Sequence, residues 1–299
     1  MRKFFMSVIA LMMTASVSAQ FYIYLSNGDV LQADSISTVV PTLGMLSGEF
    51  SVSATKKVHF SQGNLQATYD GSSWTWSFAE HQWDYIGDAA ANNAINGNGT
   101  VSSNGTVDLF GWSTTATYYG IYNSTDYTDY PGDFVEWGNN PISNGGKKAN
   151  MWRTLKKDEW VYLLYDRTDA AKLFSLGKVN GENGTILLPD NWTGEKFDNA
   201  VDGLTDQGTY YYNTNSTNFY FHTYSVEQWA DMEAAGAVFL PAAGNRWGTD
   251  VALDGSYGLY WSATPDATYN AYELLFDSGY FKPQSSGNRD DGRSVRLVR

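Results

Sequence analysis

Apolar and polar residues alternate strictly through Trp74-Thr75-Trp76-Ser77-Phe78, which predicts a half-buried strand. Lys57-Val58-His59-Phe60 reads as an earlier strand, and Phe21-Tyr22-Ile23-Tyr24-Leu25 as one that turns at Asn27-Gly28 into Val30-Leu31. The apolar runs Thr185–Pro189 and Ala237–Pro241 predict buried strands. Three more β-like runs close the sequence: Gly258–Thr264, Ala271–Phe276 and Arg293–Val298. The last is expected to pair inside a sheet, so that the loops before it are displayed from a fixed frame.

Two helices interrupt this series. One is predicted over Leu155–Asp166, with Thr154 as N-cap, Asp158 and Glu159 favoured by the helix dipole, and Leu155, Trp160, Leu163 and Leu164 facing inward. The other starts at Ser225 with the capping box Ser225-x-x-Gln228, turns Val226, Trp229 and Met232 inward, and stops at Gly236. Asp108–Trp112 returns to the core. Residues 87–107 and 113–150 read as long loops, the second carrying Tyr118, Tyr119, Tyr122, Tyr127, Tyr130 and Trp137. The order predicts an α+β fold with two helices, mainly antiparallel sheets and long loops.

Residues 1–19 have the layout of a secretory signal. Arg2 and Lys3 are the charged region, Phe4–Met13 the apolar stretch, and Val17-Ser18-Ala19 the small-residue cleavage site. The expectation is export to the periplasm, cell surface or medium, with a mature chain from Gln20. Residues 20–48 are expected to form a short β segment and linker, and residues 49–299 a single domain. Absence of Cys removes the lipobox, so no lipid anchor is expected, and stability must come from packing. Eleven Trp, twenty-one Tyr and fifteen Phe supply that core. The net charge of −13 argues against nucleic acid and anionic membrane surfaces as partners, since both need a basic face.

Several segments together resemble a large family of exported Bacteroides-type proteins. They are Phe50–Gln66, Phe78-Ala79-Glu80-His81-Gln82-Trp83-Asp84-Tyr85-Ile86-Gly87, Asp108–Trp112, Trp152–Leu155, Leu187–Trp192, Phe239–Gly244, Tyr260–Ser262 and Gly292–Val298. That family looks like a branch of the C-type-lectin fold. It is more distantly similar to formylglycine-generating-enzyme-like domains and to the variable proteins of diversity-generating retroelements. The resemblance implies a C-type-lectin-like domain with a display surface near its end, and residues 257–292 have the Asn, Tyr, Ser and Asp content of such a surface.

The chemistry of the sequence points to binding. Oxidase activity of the formylglycine-generating type needs cysteines, and none exist. His59, His81 and His222 lack metal-ligand spacing, and no Gly-x-Ser-x-Gly is present. No catalytic residue or cofactor is therefore expected. Calcium stays open at Asp198–Asp202 and Asn288–Asp291, where oxygen ligands cluster. The expected contacts to a glycan or protein ligand are Tyr257, Tyr260, Tyr269, Tyr280, Trp247, Arg246, Arg289, Asn288, Tyr118 and Tyr119, with Tyr122 beside them. Trp261, Arg293 and Arg296 are expected to be structural. Two alternatives remain: a carbohydrate-active enzyme using a carboxylate pair, and a structural or adhesin-like surface subunit.

Overall fold

The computed structural model describes residues 21–24, 30–33, 44–87, 105–117, 119–121, 124–198, 201–204, 210–212 and 218–299. The predicted secretory signal and Tyr118 and Tyr122 lie outside them. The chain divides into two units, residues 1–41 and 42–299. In the first, Phe21–Tyr24 pairs antiparallel with Val30–Ala33, the predicted hairpin. The second begins earlier than residue 49, because Leu46 is in its core and the Leu46 amide donates to the Phe60 carbonyl.

The architecture is α+β, mostly sheet. The largest sheet orders Val201–Leu204, Tyr210–Tyr212, Tyr280–Asn288, Asn270–Phe276 and Gly258–Pro265, with every pair antiparallel. A second orders Thr223–Tyr224, Phe174–Val179, Glu182–Leu187 and Val238–Pro241. A third orders Trp74–Phe78, Leu65–Tyr69 and Gly105–Val107. Leu297–Val298 pairs with Arg153–Thr154 rather than joining a large sheet.

The strand Gly258–Pro265 divides two cores. Tyr260 packs into a cluster with Phe50, Phe60, Trp160 and Phe276. The next residue, Trp261, packs into the other with Trp76, Phe110, Trp112, Trp137 and Trp152. Consecutive side chains point to opposite faces of a strand, so burial of both means that both faces are covered. A third cluster gathers Ile186, Trp229 and Phe239.

The second helix, Val226–Ala234, starts as predicted. Ser225 Oγ accepts from the Gln228 amide at 3.3 Å, and Gln228 Oε1 accepts from the Ser225 amide at 2.9 Å. Trp229 is buried, whereas Val226 is exposed and does not face inward. Gly236 follows in a left-handed conformation, φ +95°, and its amide reaches the Glu233 carbonyl.

The first helix is shorter than expected. It spans Lys157–Val161 and continues as a π-helical turn, Tyr162–Asp166. Thr154 is not its N-cap. It lies in a strand, and its amide and hydroxyl both donate to Glu136. Lys156 occupies the cap position, with its amide bound to Glu159. Leu155, Trp160, Leu163 and Leu164 are all buried, as the pattern required.

Residues 113–150 are more than a surface loop. Tyr130, Trp137 and Ile142 are buried, and two 3-10 turns, Tyr127–Asp129 and Trp137–Asn139, shape the segment. At the other loop, Gly105–Val107 is a strand.

Buried polar groups pin these layers. Arg167 donates to the Leu188 and Leu173 carbonyls and to Asp190. Burial opposes ionisation of Asp190, but hydrogen bonds from Ser51 and the Arg167 charge outweigh it and hold its pKa below the ordinary carboxylate value. A depressed pKa contributes stability above the unfolded value, which is lost as pH falls through the folded value. Asp190→Asn is expected to cost about 1–3 kcal/mol at pH 7. In urea titrations, the gap between it and the parent should close as pH drops below the ordinary aspartate range. A gap independent of pH would assign the loss to packing instead.

Candidate functional site

The expected C-terminal contacts fall into different environments. Trp247 is 57 % exposed on the hairpin formed by Asn245–Trp247 and Asp250–Ala252. Tyr257 and Tyr280 are half-buried neighbours; burial first, then the charge of Asp277 and the nearby Tyr257, pushes the Tyr280 phenol up. Tyr269 is exposed and packs on Tyr127 from the middle segment, ring centroids 4.4 Å apart. Asn288 is exposed and accepts from the Asn270 amide group at 3.4 Å.

Three expected contacts are corrected. Tyr260 is fully buried, and its hydroxyl donates to the Pro241 carbonyl at 2.8 Å. Arg246 is fully buried and donates to the Leu109 and Gly248 carbonyls. Arg289 is buried over the Trp112 ring at 4.2 Å and donates to the carbonyls of Tyr130, Gly132, Ala267 and Asn270. A cation spent on backbone carbonyls under cover is a structural tie. Arg289 thereby fixes the two loops that present Tyr127 and Tyr269.

Tyr119 belongs elsewhere, in a groove of about 450 Å³ lined by Trp74, Thr75, Trp76, Ala116, Thr117, Tyr119, Ile121, Asn140 and Pro141. Trp76 stacks on Phe110 at 5.7 Å and receives Tyr119 edge-on at 5.7 Å. Trp74 is half-buried at the strand end, tilted against Tyr69. Tyr119 has a left-handed backbone, φ +47°, uncommon for a bulky residue and maintained only where the surroundings impose it. The constraint is visible: the Tyr119 carbonyl accepts from Trp137 Nε1 at 2.6 Å, and the Gly120 carbonyl from the Gly111 amide at 2.7 Å. None of the described residues lining the groove is charged.

A second cleft, of about 520 Å³, is lined by Trp83, Asp84, Tyr85, Ile86, Gly87, Asn180, Glu182 and Asp254. Asn180 and Gly181, both at positive φ, form the two-residue turn of a hairpin and place Glu182 at the rim. Tyr85 donates its hydroxyl to Glu182 at 3.0 Å. Burial, then the negative charge of Glu182, pushes that phenol well up. Asn183 ties the hairpin to the turn after Asp254 by donating to the Gly255 carbonyl at 2.7 Å. His81 stacks on Trp83 at 4.7 Å and hydrogen-bonds Asp84 at 3.0 Å.

The carboxylates that burial pushes upward lie outside both clefts. Glu136 is bound by Thr154, Glu273 by Arg293, and Asp290 is buried near Asp291. At the C-terminal calcium candidate, Asp291 is already engaged by Arg293 at 2.8 Å. At the other, Asp198 is exposed and the side chains of 199–202 lie outside the described residues. Among the described residues, no group of three or more His, Asp or Glu is arranged to hold a metal ion, and no helix is long and apolar enough to cross a membrane.

No family model, curated protein or solved structure matches the chain. The lining residues Trp74, Trp76, Trp83, Tyr85, Glu182 and Asp254 were not among the expected contacts. A signal existed for four of them, in the alternating strand and in the segment Phe78–Gly87.

Proposed function

We propose that the protein is a non-catalytic binding protein that takes a neutral carbohydrate in the Trp74–Trp76–Tyr119 groove. One observation carries this reading: indole and phenol rings stand beside Thr75, Thr117 and Asn140, with no charge among the described lining residues. Apolar C–H faces of a sugar stack on aromatic rings, and a few convergent polar groups orient its hydroxyls. A groove without charge favours an uncharged ligand, because an ion would lose hydration without a partner. The pinned backbone at Tyr119 supports a preorganised site, which lowers the cost of binding.

The α+β arrangement with two helices and long loops is compatible with a C-type-lectin-like domain, and the first nineteen residues support export. A protein ligand is the second reading. It draws on the Tyr127–Tyr269 pair, 48 % and 41 % exposed, held by Arg289 as a rigid aromatic contact.

Two variants test the first reading. Trp74→Ala is expected to abolish saccharide binding while changing thermal stability little, because the ring is only half-buried. Trp76→Ala is expected to cost about 3–5 kcal/mol, because that ring is core. Saccharide titrations alongside thermal melts check both. Retained binding in Trp74→Ala would remove the groove as the site.

A further inference from the structure

We infer that the second cleft, between Trp83–Gly87, the Asn180–Gly181 turn and Asp254, binds a primary ammonium group. This site is independent of the carbohydrate groove. Its walls combine the Trp83 and Tyr85 rings with the Asp84, Glu182 and Asp254 carboxylates, and none of the described lining residues is basic. The basic residue of the same hairpin, Lys178, is not among the lining residues: its ammonium lies 4.5 Å from the Tyr220 ring centre and donates to the Gly181 carbonyl of the bordering turn. The titratable neighbour His81 is engaged with Asp84.

Gly87 marks where one ring and one carboxylate converge. A Cβ built there would lie 3.7 Å from the Tyr85 ring and 3.8 Å from Asp254 Oδ2. The Tyr85 ring and the Asp254 carboxylate therefore approach the same point of the cleft wall, at Gly87. Gly87 also has φ +62°, which suits glycine. A cation is attracted by the carboxylates through charge, and by either ring wherever it meets the ring face. An anion is repelled, and a neutral hydroxyl gains neither term in full. An –NH₃⁺ group is the form that donates hydrogen bonds to several carboxylate oxygens at once. Lysine side chains and amino sugars both carry this chemistry.

The test is calorimetric titration at neutral pH with two probes: Nα-acetyl-lysine amide into the full parent chain, and glucosamine into the full-length Trp74→Ala variant, in which the carbohydrate groove does not contribute. Their acetylated counterparts, Nα,Nε-diacetyl-lysine amide and N-acetylglucosamine, are the paired controls. At least one ammonium probe should bind, its neutral counterpart should bind about tenfold more weakly, and raising salt to about 0.3 M should weaken it further. The stronger probe identifies the source. Asp254→Asn and Glu182→Gln should each reduce ammonium binding several-fold; Asp254 is exposed, so its variant should fold normally. Trp74→Ala should leave binding of Nα-acetyl-lysine amide unchanged, which separates this site from the groove. Equal affinity for free and acetylated probes, no binding of either ammonium probe, or full binding by the Asp254→Asn/Glu182→Gln double variant would each overturn the proposal.

Discussion

Glu273→Ala should lower stability by about 3–5 kcal/mol, the cost of leaving a buried cation without its partner. Glu273 Oε2 accepts from Arg293 Nε at 2.8 Å, and both side chains are more than nine-tenths buried. Arg293 also lies over the Trp261 ring at 5.8 Å, and its backbone exchanges amide–carbonyl bonds with Phe110. The pair thus joins the large sheet to the tryptophan-rich core. Asp291 retains one contact to Arg293 in the variant, but it is more exposed and binds a different nitrogen. Glu273→Gln keeps the shape and one acceptor, so it should lose less. Urea denaturation at pH 7 gives both values. A loss below about 1 kcal/mol for Glu273→Ala would mean that Arg293 reaches water or Asp291 fully compensates.

Trp112→Ala should have an effect of similar size, about 3–5 kcal/mol, for a different reason. Its indole is fully buried, donates to the Ser262 carbonyl at 2.9 Å and packs on Phe134. It is also the platform for the Arg289 guanidinium, which binds four carbonyls of two loops. Removing the ring opens a cavity and loosens that clamp. The midpoint of urea unfolding should therefore fall, and hydrogen exchange should accelerate in residues 127–132 and 266–270. A stability loss with those loops still protected would show that the carbonyl bonds hold Arg289 without the ring.

Much of the fold was legible because local patterns and burial agree. The alternation in Trp74–Phe78 gave the strand and the buried Trp76 and Phe78; the Ser225/Gln228 pair gave a helix start to the residue. Tyr260 was misplaced because a strand with one wet face would expose it beside a buried Trp261, while this one lies between two cores. Arg246 and Arg289 were misplaced because arginine is usually a surface residue, and only the fold shows which carbonyls receive it. The clefts were harder still. Trp83, Glu182 and Asp254 come from three distant segments, and no spacing rule connects them. Tyr119 was named for its aromatic surroundings, but its groove partners Trp74 and Asn140 come from well before and well after it in the sequence.

Binding of a neutral carbohydrate in the uncharged aromatic groove can be read on a glycan array probed with the parent protein and Trp74→Ala, with calcium and again with chelator. Neutral-glycan signals should survive chelation and disappear in Trp74→Ala. A blank array, or signals equally strong in the variant, would contradict it.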